Sequence, residues 1–441
     1  MKYQNALRAT ALCALMACGL TACIHAPIVP TMKGMVSSPS LDPAAPDAAR
    51  SATLPFLFDD NRMFVVLEFI RPDGGVRKAL AYVNMGQAAP ILSDDLFREL
   101  EIDKGKPLDF RFGTMAIRVD AAATLTQDEA MSFTINLHSG KPDKPSFGGN
   151  DAAKHFFAPL PVEAVLPAGV LQNFEVVMDY DAKTLTLATP GTIKPVGVAV
   201  PVRLNDETGL ITAETAIAGK KREIVIDNGG SYTVLRASAV TAILDDHPDW
   251  QRGTGAVGEA NTLMGGPDAV APMLRASQMD MEALHLDDIG IVGSGMGSTM
   301  GWLLGGFFWD YYSDKAGVDV DGWFGGNVLK GFQLTIDYPN RTTYWLKQNN
   351  LDPHDLDQVG ITLVRAADKY VVGGIALKGG KETVEGVQAG DTLVQVDQLK
   401  ADGATRGQVL TALHGKPGEH RHLVLERDGK RIDVDATVTA F

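Results

Sequence analysis

Residues 226–235 read Ile226-Asp227-Asn228-Gly229-Gly230-Ser231-Tyr232-Thr233-Val234-Leu235, a carboxylate directly after an apolar run with glycine two residues on and two hydroxyls close behind. A carboxylate so placed can take or give a proton, a nearby hydroxyl can orient it, and glycine lets a second chain segment come close. The pattern occurs again: residues 83–92 align on residues 226–235 without gaps, putting Asn84 opposite Asp227, Met85 opposite Asn228 and Gly86 opposite Gly229. A second block, residues 170–180, aligns on residues 328–338 in the same order. Two matched blocks make an internal repeat, with halves at about 55–192 and 198–350. Other chemistries lack their residues. There is no His-Glu-x-x-His, no Gly-x-Ser-x-Gly and no Walker A sequence, and of nine histidines only His420 and His422 sit close together. Neither a metal site nor a cofactor is expected.

The elements that must position these loops are mostly strands. Apolar or alternating runs at 63–70, 132–137 and 224–226 are separated by Gly, Asp and Pro turns, whereas 93–100 and 237–244 have helical spacing and follow the two glycine turns. Asp94 and Asp95, at the start of the first of these, are expected to cap it. From about 358 the pattern changes: strands at 361–364, 370–377, 392–396 and 422–426 surround a short helix over Arg406–Leu413.

The order strand, Asp/Asn-x-Gly turn, strand, short helix, more strands and a closing apolar-Gly segment resembles one lobe of a pepsin/retropepsin-type aspartic peptidase. Trp323-Phe324-Gly325 and Leu166-Pro167-Ala168-Gly169 resemble that family's second signature. The resemblance covers 55–192 as lobe 1 and 198–350 as lobe 2. It implies a mainly β, two-lobed fold in which two carboxylates, about 3 Å apart, share one proton and activate water. In that reading Asp227 is the catalytic carboxylate, Gly229 gives its loop room, Ser231 and Thr233 are the candidate orienting hydroxyls, and Asn84 is a degenerate partner. An amide mimics the shape of a protonated carboxyl but cannot share or exchange a proton. Residues 385–397, containing Ala389-Gly390-Asp391, resemble a bacterial PDZ signature, with Gln398 where a glycine usually stands. That resemblance makes 358–441 a PDZ domain and implies strand addition of an extended peptide, for which Tyr370, Val371 and Val372 are the candidate contacts.

Composition bounds the surroundings. The 441 residues carry 40 Lys+Arg against 54 Asp+Glu, a formal charge of −14, which argues against a nucleic-acid partner. All three cysteines, Cys13, Cys18 and Cys23, fall at the start of the chain. Lys2, Arg8 and a short apolar run make residues 1–22 a signal peptide, and Leu20-Thr21-Ala22-Cys23 resembles a bacterial lipobox, with Cys23 the lipidated residue. Ile24 then implies sorting to the outer membrane, and the Pro-, Ala- and Ser-rich stretch 23–54 reads as lipid anchor and flexible linker. Residues 289–309 hold no charged side chain and carry Gly293, Gly297, Gly301 and Gly305. They read as an insertion in lobe 2, and 253–266 as the better-placed flap.

The resulting expectation is a periplasmic, lipid-anchored protein that hydrolyses or handles extended polypeptides. Three readings stay open at this stage: an aspartic endopeptidase in which Asp227 works alone or against Asp227 of a second copy in a homodimer; a pseudopeptidase that binds peptide or unfolded protein without cutting; and a body that only supports the PDZ domain.

Overall fold

The computed structural model describes residues 50–104, 106–119, 157–255, 271–294, 309–310, 312–366 and 368–441. The expected signal peptide, Cys23, the linker up to residue 49, the strand at 132–137, most of the flap and residues 295–308 of the insertion lie outside the described residues.

A six-stranded antiparallel platform joins the two halves. Its order is Val198–Pro201, Thr342–Lys347, Phe332–Asp337, Glu175–Asp179, Thr184–Ala188 and Ser51–Asp59. At its middle Thr335 pairs with Val177, flanked by Gln333 opposite Asp179 and Asp337 opposite Glu175. Val177 and Thr335 are repeat equivalents, so the pseudo-twofold axis passes between them, and the register of this pair satisfies the ungapped sequence alignment.

Each half then repeats one motif. Val76–Asn84 runs parallel to Val162–Pro167, which also pairs antiparallel with Ile91–Leu92. Lys220–Ile226 runs parallel to Gly322–Phe324, which pairs antiparallel with Thr233–Arg236. A short helix follows the returning strand each time, Asp94–Glu99 and Ala237–Asp246. The first is capped by Ser93, whose Oγ accepts from Leu96 N at 3.1 Å; Asp95, expected as a cap, pairs instead with Arg98 at 2.9 Å. On one face of the strand Arg62–Ile70, Met63, Val65, Leu67 and Phe69 join the main core; on the other, Phe64 packs with Tyr82, Phe157 and Val162 while Val66 is exposed.

The third unit is a separate sheet ordered Ile361–Ala366, Lys369–Ile375, Thr392–Val396, His420–Arg427 and Lys430–Thr437, with its own core. Tyr370, Val371 and Val372 lie in an inner strand. Tyr370 and Val371 pair with both neighbouring strands, and Tyr370 is buried with its hydroxyl on Ala404 O at 3.0 Å. Ile361–Ala366 ends this sheet, with Ile361, Thr362, Leu363 and Arg365 themselves buried, so the three residues expected from sequence lie one strand in from the end of the sheet and not at an edge open to a peptide.

Where the second half meets the third unit, Asp355 is buried and accepts from Arg275 Nη2 at 2.9 Å and Asn327 Nδ2 at 2.7 Å. Burial pushes its carboxyl up from the ordinary range, against the pull of Arg275. Removing Arg275 strands this carboxylate, which typically costs about 3–5 kcal/mol. Arg275→Met should therefore lower the melting temperature strongly at pH 7. The deficit should shrink as acid protonates Asp355, which thermal scans across pH will read.

Candidate active site

The two repeated loops meet at the axis. Val76–Asn84 and Lys220–Ile226 each end where a returning strand lies parallel to them, so Asn84 and Asp227 are delivered to the same place from opposite halves. Each side chain folds back on its own glycine: Gly86 N donates to Asn84 Oδ1 at 2.9 Å, and Gly229 N donates to Asp227 Oδ1 at 2.8 Å. Gly86 N also donates across the axis to Asp227 Oδ1 at 2.9 Å. A shared donor leaves the Asn84 and Asp227 oxygens no further apart than twice 2.9 Å. A methyl group on Gly86 would overlap Asp227 Oδ2, and one on Gly229 would overlap Asn84 Oδ1, so both glycines are required by the close approach.

Asn228 is the second cross-axis tie. Its Oδ1 accepts from Met85 N at 2.9 Å, while its Nδ2 is buried with no hydrogen-bond partner among the described residues. The Met85 side chain has no hydroxyl or amide with which to return the contact, so the tie is one-sided.

The two hydroxyls expected to orient Asp227 do other things. Ser231 Oγ donates to Asp60 Oδ2 at 3.0 Å, and Thr233 Oγ1 donates to Asn327 Oδ1 at 3.0 Å. The hydroxyl that reaches the carboxylate is Tyr312, whose Oη donates to Asp227 Oδ2 at 3.1 Å. Tyr312 starts the helical residues 312–316 and packs against Trp309 and Trp323. Beneath the loop, the Gly229 carbonyl accepts from Arg62 Nε at 3.1 Å and from the Tyr82 hydroxyl. Arg62 is itself paired with Asp60. Arg62, Tyr82 and Tyr312 were not legible as site residues, because each joins the loop from a distant strand or helix with no motif around it.

Asp227 is 8% exposed. Burial raises its pKa above the ordinary carboxylate range, outweighing the amides of Gly229 and Gly86, the Tyr312 hydroxyl and the Arg62 charge, all of which favour the ionised form. Burial also pushes Tyr82 and Tyr312 up, and the neighbouring Asp227 charge adds to both. Both therefore remain neutral hydrogen-bond donors. The site can hold one proton on Asp227 and offer an amide beside it.

No family model matches the chain, and neither does any curated protein. Solved structures do. An aspartic proteinase from Irpex lacteus is 10% identical over 68% of this chain and 97% of its own, at a TM-score of 0.35. A PDZ domain of a carboxy-terminal protease from Vibrio cholerae, in complex with peptide, is 18% identical over 19% of this chain and 93% of its own, at 0.17. A photosystem II D1 C-terminal processing protease is 20% identical over 19% of this chain, at 0.17, and only 23% of its own length is covered. The mainly β fold in two repeated halves rests on the strand pairing described above.

Proposed function

We propose that the protein holds extended polypeptide between its two lobes without cleaving it. The carrying observation is the amide of Asn84 where a proton-sharing carboxyl is needed, bound to the same Gly86 N–H as Asp227. Asp227 alone can accept a proton from water, but no second acid polarises the scissile carbonyl, and Tyr312 already occupies its other oxygen. Asn84, Tyr312 and the Asp227 carboxyl would instead hydrogen-bond the backbone of a bound chain. The third unit, PDZ-like in its sequence signature, would add a second peptide contact.

A second reading, hydrolysis by Asp227 at acidic pH, is favoured by the intact Asp-x-Gly loop. One experiment separates them. The soluble chain from residue 50 onward is incubated with a mixture of unstructured peptides at pH 3–7, with binding followed by fluorescence anisotropy and cleavage by mass spectrometry. Binding that persists in Asp227→Asn, with no cleavage at any pH, is the expected result. Cleavage that vanishes in that variant would replace the first reading by the second.

The Leu20–Cys23 segment supports an address at the periplasmic face of the outer membrane, reached through a lipid on Cys23. Metabolic labelling with palmitate should mark the protein, and Cys23→Ala should abolish the label.

A further inference from the structure

The turn between Ser51–Asp59 and Arg62–Ile70 is bonded to more of the molecule than its length suggests. Asp59 pairs with Arg62, leaving a two-residue loop whose Asp60 and Asn61 both have positive φ, 49° and 56°. Such a loop is stiff, and its backbone twist matches the strands it joins. The first residue, half-buried Asp59, faces the third unit: its Oδ2 accepts from Gly407 N at 3.0 Å and its Oδ1 from the Thr405 hydroxyl, at the start of the helix Arg406–Leu413. Gly407 lies so close to the turn that a methyl group there would strike the Asp60 nitrogen.

The next residue faces the site. Asp60 pairs with Arg62 and accepts from Ser231 at 3.0 Å, and Arg62 Nε donates to the Gly229 carbonyl at 3.1 Å. At the tip, Asn61 Oδ1 accepts from Lys330 at 3.0 Å. Asp59 and Asp60 are adjacent on a pinned, two-residue turn, so the turn cannot absorb a displacement of one without moving the other.

We propose that Asp59 and Asp60 are positioning residues that couple the third unit to the Asp227 loop, Asp59 following the start of the helix Arg406–Leu413 and Asp60 setting the Gly229 carbonyl through Arg62 and Ser231. A ligand that shifts that helix, such as an extended peptide bound to the third unit, then alters the loop, and occupancy of the loop alters peptide affinity by the same factor. The inference rests on the peptide-handling reading for its biological meaning and on the contacts alone for its physics.

The full chain is compared with Asp59→Asn, which keeps the Thr405–Gln408 capping box, and with Thr405→Val. Two quantities are read: amide hydrogen exchange over 227–231, and the titration of the Asp227 carboxyl by NMR. Burial, the Gly229 amide, the Tyr312 hydroxyl, the Gly86 amide and the Arg62 charge set this titration; Asp60 faces it through Arg62, and Tyr82 and Tyr180 are neutral neighbours that feel the Asp227 charge. Both variants should speed exchange at 227–231 about tenfold, the factor for one lost hydrogen bond. Both should also move the Asp227 midpoint upward as Arg62 and the Gly229 amide loosen. Faster exchange confined to 405–409, with the Asp227 titration unchanged in Asp59→Asn, would overturn the coupling and leave a mere docking contact. Peptide binding is measured separately: coupled loops in a chain that binds no peptide would refute the functional reading and keep the coupling.

Discussion

Asn84→Asp is expected to convert the protein into an acid-dependent endopeptidase. The substitution changes one nitrogen to oxygen on a side chain whose Oδ1 is already held by Gly86 N, the donor shared with Asp227. The loops therefore need no rearrangement to present two carboxylates. Two carboxylates sharing the Gly86 N–H oppose each other's ionisation, so their pKa values are expected to split, and between the two apparent values the pair carries one proton. In that window the ionised member takes a proton from water as the water oxygen bonds to the scissile carbonyl carbon, while the protonated member donates to the carbonyl oxygen. The proton taken from water then passes to the leaving amine as the C–N bond breaks. Acid–base catalysis of this kind contributes about 10²- to 10⁴-fold, so cleavage of the peptide mixture should rise by at least the lower figure between pH 3 and 5 and fall toward pH 7. The double variant Asn84→Asp, Asp227→Asn must be inert. A folded Asn84→Asp protein that cuts nothing at any pH would show that the lobes lack more than the carboxylate, with Tyr312 the first residue to suspect. Its stability should change too: a second, half-buried carboxyl beside Asp227 lowers the melting temperature at pH 7 and leaves it nearly unchanged in acid.

Asp227→Asn is expected to stabilise the protein at neutral pH. Burial raises the Asp227 pKa in the folded chain above its value of 3.8 in the unfolded one. Between those values the native state binds more protons than the unfolded state, so the contribution of Asp227 to stability falls as pH rises and levels off above the folded pKa. An amide keeps the bonds from Gly86 and Gly229 through its oxygen and presents its nitrogen to Tyr312, whose hydroxyl can rotate to accept. The charge penalty disappears while the contacts remain. The gain should be of order 1 kcal/mol at pH 7, the usual size of single-site effects, and should vanish below the ordinary aspartate range. Urea unfolding of both proteins at pH 3 and pH 7 checks it. A loss of stability at pH 7 would mean that the Arg62 charge and the three donors to Asp227 favour the ionised form more than burial opposes it.

The two variants bracket the site. Adding a proton-sharing group to lobe 1 creates chemistry at a cost in stability, and removing the charge from lobe 2 relieves that cost.

Alternation of apolar residues and the demand for glycine are local properties, and they were readable. They located the repeat, whose alignment of Val177 on Thr335 is met by the pairing at the axis. They also located Gly86 and Gly229, where a side chain would collide with the opposite loop. Asn84 opposite Asp227 followed from the same alignment. Strand character at 370–372 was likewise legible, but not its inner position in the sheet, because strand order depends on which segments pair over long distances. The hydroxyls show the same limit. Ser231 and Thr233 stand near Asp227 in the chain, yet the loop turns them toward Asp60 and Asn327. The donor that reaches the carboxylate, Tyr312, is 85 residues away, and Arg62 is 167 residues from the carbonyl it holds. Neighbours in the chain decide periodicity and steric room; the partners of a buried polar group are decided only when the lobes close and leave it no water to bond.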